Sequence, residues 1–190
     1  FSSFKVKPYD YNSGTGLLRH VLIKRGFATG QIMVVLVTAK GAIKSQRSFI
    51  NALLSKHPNI TTVVQNINTN DIKLSLGEEN ITLYGDGYIE DILCGLTFRI
   101  SPKAFYQVNP VQTTALYNKA VEFADLTGNE LVIDAYCGTG TIGMIMASKA
   151  KTVIGVELNA DAVVDATCNA KINNIDNIEF YCKDAGEFMT

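Results

Sequence analysis

Three closely spaced glycines follow an apolar run and form the segment with the clearest potential for chemistry. Residues 131–143 read LVIDAYCGTGTIG, which places Gly138, Gly140 and Gly143 between a predicted strand and a predicted helix. Glycine lets the backbone turn tightly, so the first N–H groups of the following helix face the loop and any ligand there. The spacing fits G-x-G-x-x-G, the fingerprint of dinucleotide sites, although this pattern alone is weak evidence.

Three acidic residues around the glycines indicate which cofactor the loop would hold. Asp134 ends the strand before the loop, where a carboxylate would repel a pyrophosphate but would help to order a loop beside the cationic methionine part of S-adenosyl-L-methionine. Glu157 ends the next strand, where an acid accepts hydrogen bonds from ribose hydroxyls in either cofactor. Asp184 follows a third strand, within reach of an adenine amino group. Each acid alone also fits a solvated strand end, but together they predict an S-adenosyl-L-methionine site, with an NAD-dependent enzyme disfavoured by Asp134.

Strands and helices alternate around these residues, and this alternation predicts right-handed βαβ units with a parallel sheet. The chain is therefore predicted to have an α/β fold in which the three acids meet at the carboxyl edge of one sheet. The predicted elements of this part are a helix over 110–124, a strand over 130–135, a helix over 141–149, a strand over 152–157, a helix over 160–173 and a strand over 177–182.

The first hundred residues have a different pattern, typical of a small α+β unit. We predict an amphipathic helix over 45–57, with Ser45 as its N-cap and Pro58 as its stop. Two domains follow from the change of pattern, 1–94 and 95–190. The predicted strands of the first are 19–27 and 31–38, which form an antiparallel hairpin, then 60–66, 81–84 and 88–93; a further strand over 96–100 follows the boundary.

Charge is distributed unevenly although the net charge is only -1. Residues 1–56 carry a net charge of +8, and residues 110–190 carry −6. A basic N-terminal part followed by an acidic C-terminal part predicts a module that binds a polyanion, joined to a second module of another kind. The simpler alternative is an uneven distribution of surface charge. No apolar run reaches the roughly 18 residues of a membrane span, and no signal peptide opens the chain, so we expect a cytoplasmic protein without a membrane partner. The 4 cysteines form no C-x-x-C pattern, so no metal site is predicted.

Three stretches carry a resemblance to a known family. The loop DAYCGTGT at 134–141 resembles the cofactor loop of the RNA (uracil-5-)-methyltransferases, and its Tyr-Cys-Gly is narrower than the pattern of methyltransferases in general. The stretch ISPKAFYQVN at 100–109 resembles the SPxxFxQxN sequence of this family, and VELN at 156–159 is a third match. The basic opening, with FKVK at 4–7 and Arg19-His20, resembles the ribosomal-RNA branch.

The resemblance implies a small central α+β domain that contacts RNA over 1–94, followed over 95–190 by the first half of a Rossmann-like methyltransferase domain. It implies S-adenosyl-L-methionine as cofactor and RNA, first of all 23S ribosomal RNA, as partner, with transfer RNA left open. Phe105 either lies near the target base or packs in the core, and Gln107 either contacts the cofactor or is a surface residue. The implied cofactor residues are Gln107, Tyr136, Gly138, Thr141, Glu157 and Asp184; the implied RNA-side residues are Phe105, Asn109, Lys5, Lys7 and Arg19.

Members of this family form 5-methyluridine by covalent catalysis. A cysteine thiolate attacks C6 of uracil, C5 then takes the methyl group, and a carboxylate removes the C5 proton, on a nucleotide that is exposed or flipped out. The resemblance implies that the nucleophilic cysteine, the basic glutamate and a DPPR-type loop lie downstream, so no catalytic residue is expected in this chain. Cys137 is expected to be a small packing residue, and no iron–sulfur cluster is expected here.

We therefore expect a fragment of a longer enzyme that leaves an apolar edge open at its first parallel strand. Such a fragment is expected to bind S-adenosyl-L-methionine weakly or not at all, and not to methylate. The alternatives are an S-adenosyl-L-methionine-dependent enzyme for another substrate class and a non-catalytic RNA-binding module.

Overall fold

The computed structural model describes residues 1–69 and 76–190, and these form two compact units. Unit 1 comprises Phe1–Gly26 and Gly30–Ile89, and unit 2 comprises Phe27–Thr29 and Glu90–Thr190. Each unit combines strands with helices, which confirms the predicted α/β fold class. The division falls after Ile89 rather than after residue 94, because β5 and β6, the strands on either side of the predicted boundary, pair with each other.

Unit 1 is a four-stranded sheet in the order β1-β2-β3-β4 with one helix. The β1–β2 and β3–β4 pairs are antiparallel, whereas β2 and β3 are parallel and are connected through α1. The buried face of this sheet follows from a continuous apolar run, IMVVLVT, in the central strand β2. After a 3-10 turn at Ser2–Phe4 the elements are β1 (Leu18–Arg25), β2 (Ile32–Thr38), α1 (Gln46–Lys56), β3 (Ile60–Ile67) and β4 (Glu79–Tyr84).

Helix α1 has the predicted extent but not the predicted cap. Its buried residues Phe49 and Ile50 pack in the core of unit 1, and the helix ends before Pro58 as expected. Ser45 precedes the helix in a left-handed conformation, with φ 53°, and its side chain makes no capping hydrogen bond. The prediction of a side-chain cap was wrong because a serine caps from the extended region of φ and ψ, which Ser45 does not adopt.

Unit 2 contains a three-stranded parallel sheet in the order β7-β8-β9 and a separate pair, β5-β6. Parallel strands with helical connections bring all their carboxyl ends to one edge, so Asp134, Glu157 and Cys182 end their strands on the same side. The elements are β5 (Ile89–Leu93), β6 (Leu96–Ile100), α2 (Pro110–Ala124), β7 (Leu131–Asp134), α3 (Thr141–Ala147), β8 (Thr152–Glu157), α4 (Ala160–Ile172), β9 (Ile178–Cys182) and α5 (Ala185–Phe188).

Two asparagines of the α4 region bond the backbone of β6 as a neighbouring strand would. Asn173 accepts a hydrogen bond from the N–H of Thr97 at 2.8 Å and donates one to its carbonyl at 2.7 Å. Asn169, fully buried, accepts from the N–H of Arg99 at 2.7 Å and donates to the carbonyl of Thr139 at 3.3 Å. Helix α4 thereby connects β6 to the glycine loop.

Strand β7 lies at an edge of its sheet within the described part of the chain. Its apolar side chains Leu131 and Ile133 are 58% and 45% exposed, in accordance with the expected open edge. In residues 1–69 and 76–190, every helix is too short or too polar to cross a membrane.

Candidate cofactor site

The glycine loop connects β7 to α3 and depends on two glycines with left-handed backbone conformations. Gly138 has φ 53°, and Gly140, the N-cap of α3, has φ 80°. A Cβ atom at Gly140 would lie 2.6 Å from the terminal methyl of Met144 and 2.9 Å from the ring of Phe180. Glycine is therefore needed at position 140 both for its conformation and for its lack of a side chain.

Two of the three predicted acids bond the backbone of this loop. Glu157 accepts a hydrogen bond from the N–H of Gly138 at 3.1 Å, and its other oxygen accepts from the N–H of Asn159 at 2.8 Å. Asp134 accepts from the N–H of Gly143 at 3.2 Å. Burial raises the pKa of Asp134, while the hydrogen bond from Gly143 opposes that rise. The carboxylates thus fix the loop as well as facing it.

A cavity of about 130 Å³ brings together four of the six predicted cofactor residues: Gln107, Tyr136, Gly138 and Thr141. The Tyr117 hydroxyl, also in the lining, lies 3.1 Å from the Thr141 hydroxyl. Two aromatic residues of the lining are exposed to solvent: Phe105 is 73% exposed and Tyr136 is 82% exposed. Core packing of Phe105 is excluded by this exposure.

Phe105 also lines this cavity, whereas Glu157, Asp184 and Asn109 are not among its lining residues. Glu157 is joined to it through Gly138. Asp184 is the N-cap of α5, and one oxygen of its carboxylate accepts the N–H groups of Gly186 at 2.9 Å and Glu187 at 3.1 Å. Asn109 caps α2 by accepting the N–H of Gln112 at 3.1 Å, so it holds the end of the loop that carries Gln107.

The predicted RNA-side cations belong to unit 1. Lys5 and Lys7 are exposed. The guanidinium of Arg19 lies 4.5 Å from the ring centre of Tyr9 and 5.5 Å from that of Tyr11, as in cation–π contacts. The two tyrosines were missed in the sequence, where the only signal was their position between basic residues.

Tyr106 and Tyr117 line the cavity but were not predicted as site residues. Tyr106 lies inside the ISPKAFYQVN stretch, which offered a signal, whereas Tyr117 is an ordinary core position of α2 by its spacing. Cys137 is buried, and burial, followed by the charges of Asp134 and Glu157, raises the pKa of its thiol to about 12. This thiol is protonated at neutral pH, which excludes a ready nucleophile.

Two larger cavities among the described residues hold none of the predicted cofactor residues. One of about 670 Å³ in unit 2 lies between residues such as Leu96, Met144 and Asn177, and one of about 460 Å³ in unit 1 has an apolar lining. All four cysteines are free, and the described residues contain no group of three or more His, Cys, Asp or Glu that could hold a metal ion.

Comparison with known proteins gives a family match within the second unit. Residues 126–190 match the family model of a methyltransferase domain. This methyltransferase segment contains the glycine loop and all three acids. The protein neighbours extend the likeness over almost the whole chain.

Two relatives illustrate that likeness. The uncharacterized RNA methyltransferase of Enterococcus faecalis is 44% identical over 98% of this chain and 41% of its own length. That of Caldanaerobacter subterraneus is 46% identical over 92% of this chain and 39% of its own length. The chain thus spans about two-fifths of the length of these relatives.

Solved structures agree on the fold. The tRNA (uracil-54, C5)-methyltransferase of Pyrococcus abyssi, in complex with S-adenosyl-L-homocysteine, superimposes with a TM-score of 0.78 at 25% identity, over 95% of this chain and 43% of that one. The tRNA m1G37 methyltransferase of M. jannaschii gives a TM-score of 0.52 at 17% identity, over 87% and 47%, and supports the fold alone.

The burial of Asp134 predicts a pH-dependent effect of Asp134→Asn on stability. At pH 7 the variant should be as stable as the wild type or about 1 kcal/mol more stable, because a neutral amide avoids the desolvation of a buried charge and its oxygen still accepts from Gly143. The folded pKa lies above the unfolded value, so the wild type recovers stability as the pH falls through its folded pKa. The difference should vanish below about pH 3.9, the unfolded value. Urea denaturation between pH 7 and pH 3 measures it.

Asp134→Ala is the control for this prediction, because it leaves the Gly143 N–H without a partner and should lose about 1–3 kcal/mol at pH 7. Equal losses in the asparagine and alanine variants at pH 7 would contradict the assignment.

Proposed function

We propose that this chain is part of a longer cytoplasmic enzyme that uses S-adenosyl-L-methionine to methylate C5 of uridine in RNA, with 23S ribosomal RNA as the first candidate substrate. The observation that carries the proposal is the carboxylate of Glu157 bonded to the glycine loop beside a cavity that Gln107, Tyr136 and Thr141 share. The methyltransferase-domain match and the relatives named as RNA methyltransferases support it.

The cofactor prediction is confirmed at the level of its class. A methyltransferase domain and a neighbour that binds S-adenosyl-L-homocysteine both indicate S-adenosyl-L-methionine. An NAD-dependent enzyme finds no support in these comparisons. The cofactor supplies an activated methyl group on its sulfonium sulfur.

The residues present fit such a cofactor. Each Glu157 oxygen accepts one backbone N–H and keeps one further acceptor site, which suits a pair of ribose hydroxyls. One Asp184 oxygen is used in the helix cap, so the second remains for an adenine amino group. Gln107, Tyr136 and Thr141 supply the contacts at the cavity. The cavity, at about 130 Å³, is smaller than the roughly 300 Å³ of a complete ligand pocket, so it encloses only part of the molecule.

This chain would bind and orient reactants rather than attack them. With the Cys137 thiol protonated, the nucleophilic cysteine and the basic glutamate of a uracil C5 reaction are assigned to the rest of the longer enzyme. The exposed ring of Phe105 offers a stacking surface for a flipped base next to Gln107. Asn109 holds the far end of the same loop through its cap of α2.

The basic surface of unit 1 would contact RNA phosphates through Lys5, Lys7 and Arg19. The P. abyssi neighbour is named for tRNA, so transfer RNA is the alternative substrate. A second candidate function, an RNA-binding module without catalysis, is favoured by the net charge of +8 over residues 1–56. A methyltransferase for another substrate class finds no support in that basic surface.

Titration with S-adenosyl-L-homocysteine tests the cofactor site. We expect weak binding, with ¹⁵N–¹H shifts at the amides of Gly138, Gly140 and Thr141 on addition of millimolar ligand. Glu157→Gln should weaken binding about tenfold, about 1.4 kcal/mol, because ribose hydroxyls then lose an ionised acceptor. NAD at the same concentration should leave these amides unchanged.

Glu179→Gln is the matched control, since Glu179 is exposed on β9 and lies outside the site. Thermal melting of both variants checks their folding. Equal responses to NAD and S-adenosyl-L-homocysteine, or equal weakening in Glu157→Gln and Glu179→Gln, would contradict the proposed site.

RNA binding should depend on the lysines of unit 1. In Lys5→Ala/Lys7→Ala, the slope of log affinity against log salt should fall by about 1.4, the value for two lost contacts to single-stranded phosphates. Fluorescence anisotropy with a labelled uridine-containing single-stranded RNA measures this slope over a salt range of about 50 to 200 mM. Lys149→Ala/Lys151→Ala changes the charge equally at exposed positions of unit 2. The same loss in both double variants would show that charge alone, not this surface, matters.

Deletion of the encoding gene tests the substrate. Nucleoside mass spectrometry of 23S ribosomal RNA from the deletion strain should show the loss of at least one 5-methyluridine, restored by the intact gene. Loss from transfer RNA instead would move the substrate to tRNA. Unchanged 5-methyluridine in both RNAs would overturn the proposed reaction.

A further inference from the structure

Asp91 of β5 is a buried acid that the proposed reaction does not use. It is 1% exposed, and its Oδ1 accepts hydrogen bonds from the N–H groups of Ala28 at 2.8 Å and Thr29 at 3.4 Å, all within unit 2. Its Oδ2 is equally buried but has no hydrogen-bond partner among the described residues. A buried carboxylate oxygen without a donor loses its hydration without a replacement hydrogen bond, which destabilises the fold.

Tyr106 contains the complementary group. Its hydroxyl is buried and also has no hydrogen-bond partner among the described residues, while its ring packs 6.4 Å from that of Phe98. Burial, and then the negative charge of Asp91, raise the pKa of this phenol well above its ordinary value. Alternation along β5 places Asp91 on the same buried face as Leu93, and Leu93 lines a cavity together with Tyr106. The two unpartnered groups therefore lie in the same part of the core, although they do not reach ordinary hydrogen-bond geometry.

The Tyr106 hydroxyl needs an acceptor, and Asp91 Oδ2 needs a donor. A phenol donates one proton, and an ionised carboxylate oxygen accepts it in a short, charge-assisted hydrogen bond. A hydrogen bond between them would satisfy both atoms at once.

The position of Tyr106 in the chain gives this pair a consequence for the cofactor site. Tyr106 directly precedes Gln107 and lines the same cavity. Gln107 and Val108 are exposed, the latter at 96%, so neither fixes the loop by packing. The loop is held at its start by Ser101, which donates to Asp165 at 2.5 Å, and at its end by Asn109. Tyr106, half-buried with a buried hydroxyl, is the anchor next to Gln107.

We propose that the Tyr106 hydroxyl donates a hydrogen bond to Asp91 Oδ2 when the cofactor is bound, and that this buried pair sets the position of Gln107. Asp91 and Tyr106 are then positioning residues, because they act on the cofactor through their neighbour and do not touch it in this role. The effect of this pair on cofactor binding rests on the proposed function. The hydrogen bond itself can be measured without any cofactor.

The first experiment measures the order of the loop in the free protein. In Tyr106→Phe and in Asp91→Asn the ¹⁵N heteronuclear NOE of Gln107 and Val108 should fall relative to the wild type. Phenylalanine keeps the ring packing, and asparagine keeps an oxygen for Ala28 and Thr29. Tyr84→Phe, at an exposed position of unit 1, should change nothing at this loop.

A spectroscopic titration separates a direct bond from a general loss of packing. Ultraviolet absorbance at 295 nm follows phenol ionisation, and the late-titrating tyrosine of the wild type should disappear in Tyr106→Phe. In Asp91→Asn its pKa should fall towards the ordinary value, because the neighbouring charge is gone. An unchanged late tyrosine in Asp91→Asn would overturn the pair.

The cofactor arm uses S-adenosyl-L-homocysteine as the probe. Each single variant should weaken its binding about fivefold, about 1 kcal/mol, and the double variant should be no weaker than the worse single one, since both remove the same contact. Additive losses, or wild-type affinity in Tyr106→Phe, would overturn the positioning role. If the wild type itself fails to bind, the proposed function fails, whereas the NOE and absorbance arms still decide whether the pair exists.

Discussion

The hydrogen bond from the Gly138 N–H to Glu157 is the interaction on which the cofactor site depends. Glycines at positions 138 and 140 give the loop its shape, but the same freedom that admits left-handed φ also raises the entropy lost on ordering. Glu157 and Asp134 offset that loss by accepting backbone N–H groups from the middle of the loop and from the first turn of α3. The acids therefore have two roles, one in the fold and one towards a ligand, at a single strand edge.

A second set of contacts, hydrogen bonds from two asparagines, supports the site. The asparagines of the α4 region bond the edge of β6, and Asn169 also reaches the carbonyl of Thr139 in the glycine loop. Because α4 follows β8 directly, the helix that follows Glu157 also orders the loop that Glu157 bonds. The site is thus supported by backbone groups paired with buried amides, which lose about 1–3 kcal/mol when one partner is removed.

Much of this arrangement was predictable because it is local in sequence. The alternation of strands and helices predicted the parallel strands β7, β8 and β9, and the glycines and acids lie within or beside these elements. Asn169 and Asp91 were missed because their partners lie 70 and 63 residues away, and only the folded chain brings them together. Ser45 was misjudged for a local reason, since residue type predicts a cap but not the backbone angle that capping requires. The RNA-side and cofactor roles of individual residues stay predictions.

The bond between Asn169 and Thr139 has a further consequence for motion. A loop anchored to solvent-exposed turns can open by itself, at little cost, on fast timescales. Here the loop carbonyl and the β6 backbone share one buried amide, so opening the loop takes a hydrogen bond from Asn169 while its oxygen stays bonded to Arg99 in the core. The glycine loop therefore belongs to the same cooperative unit as α4, and its amide hydrogens should exchange as slowly as those of that helix.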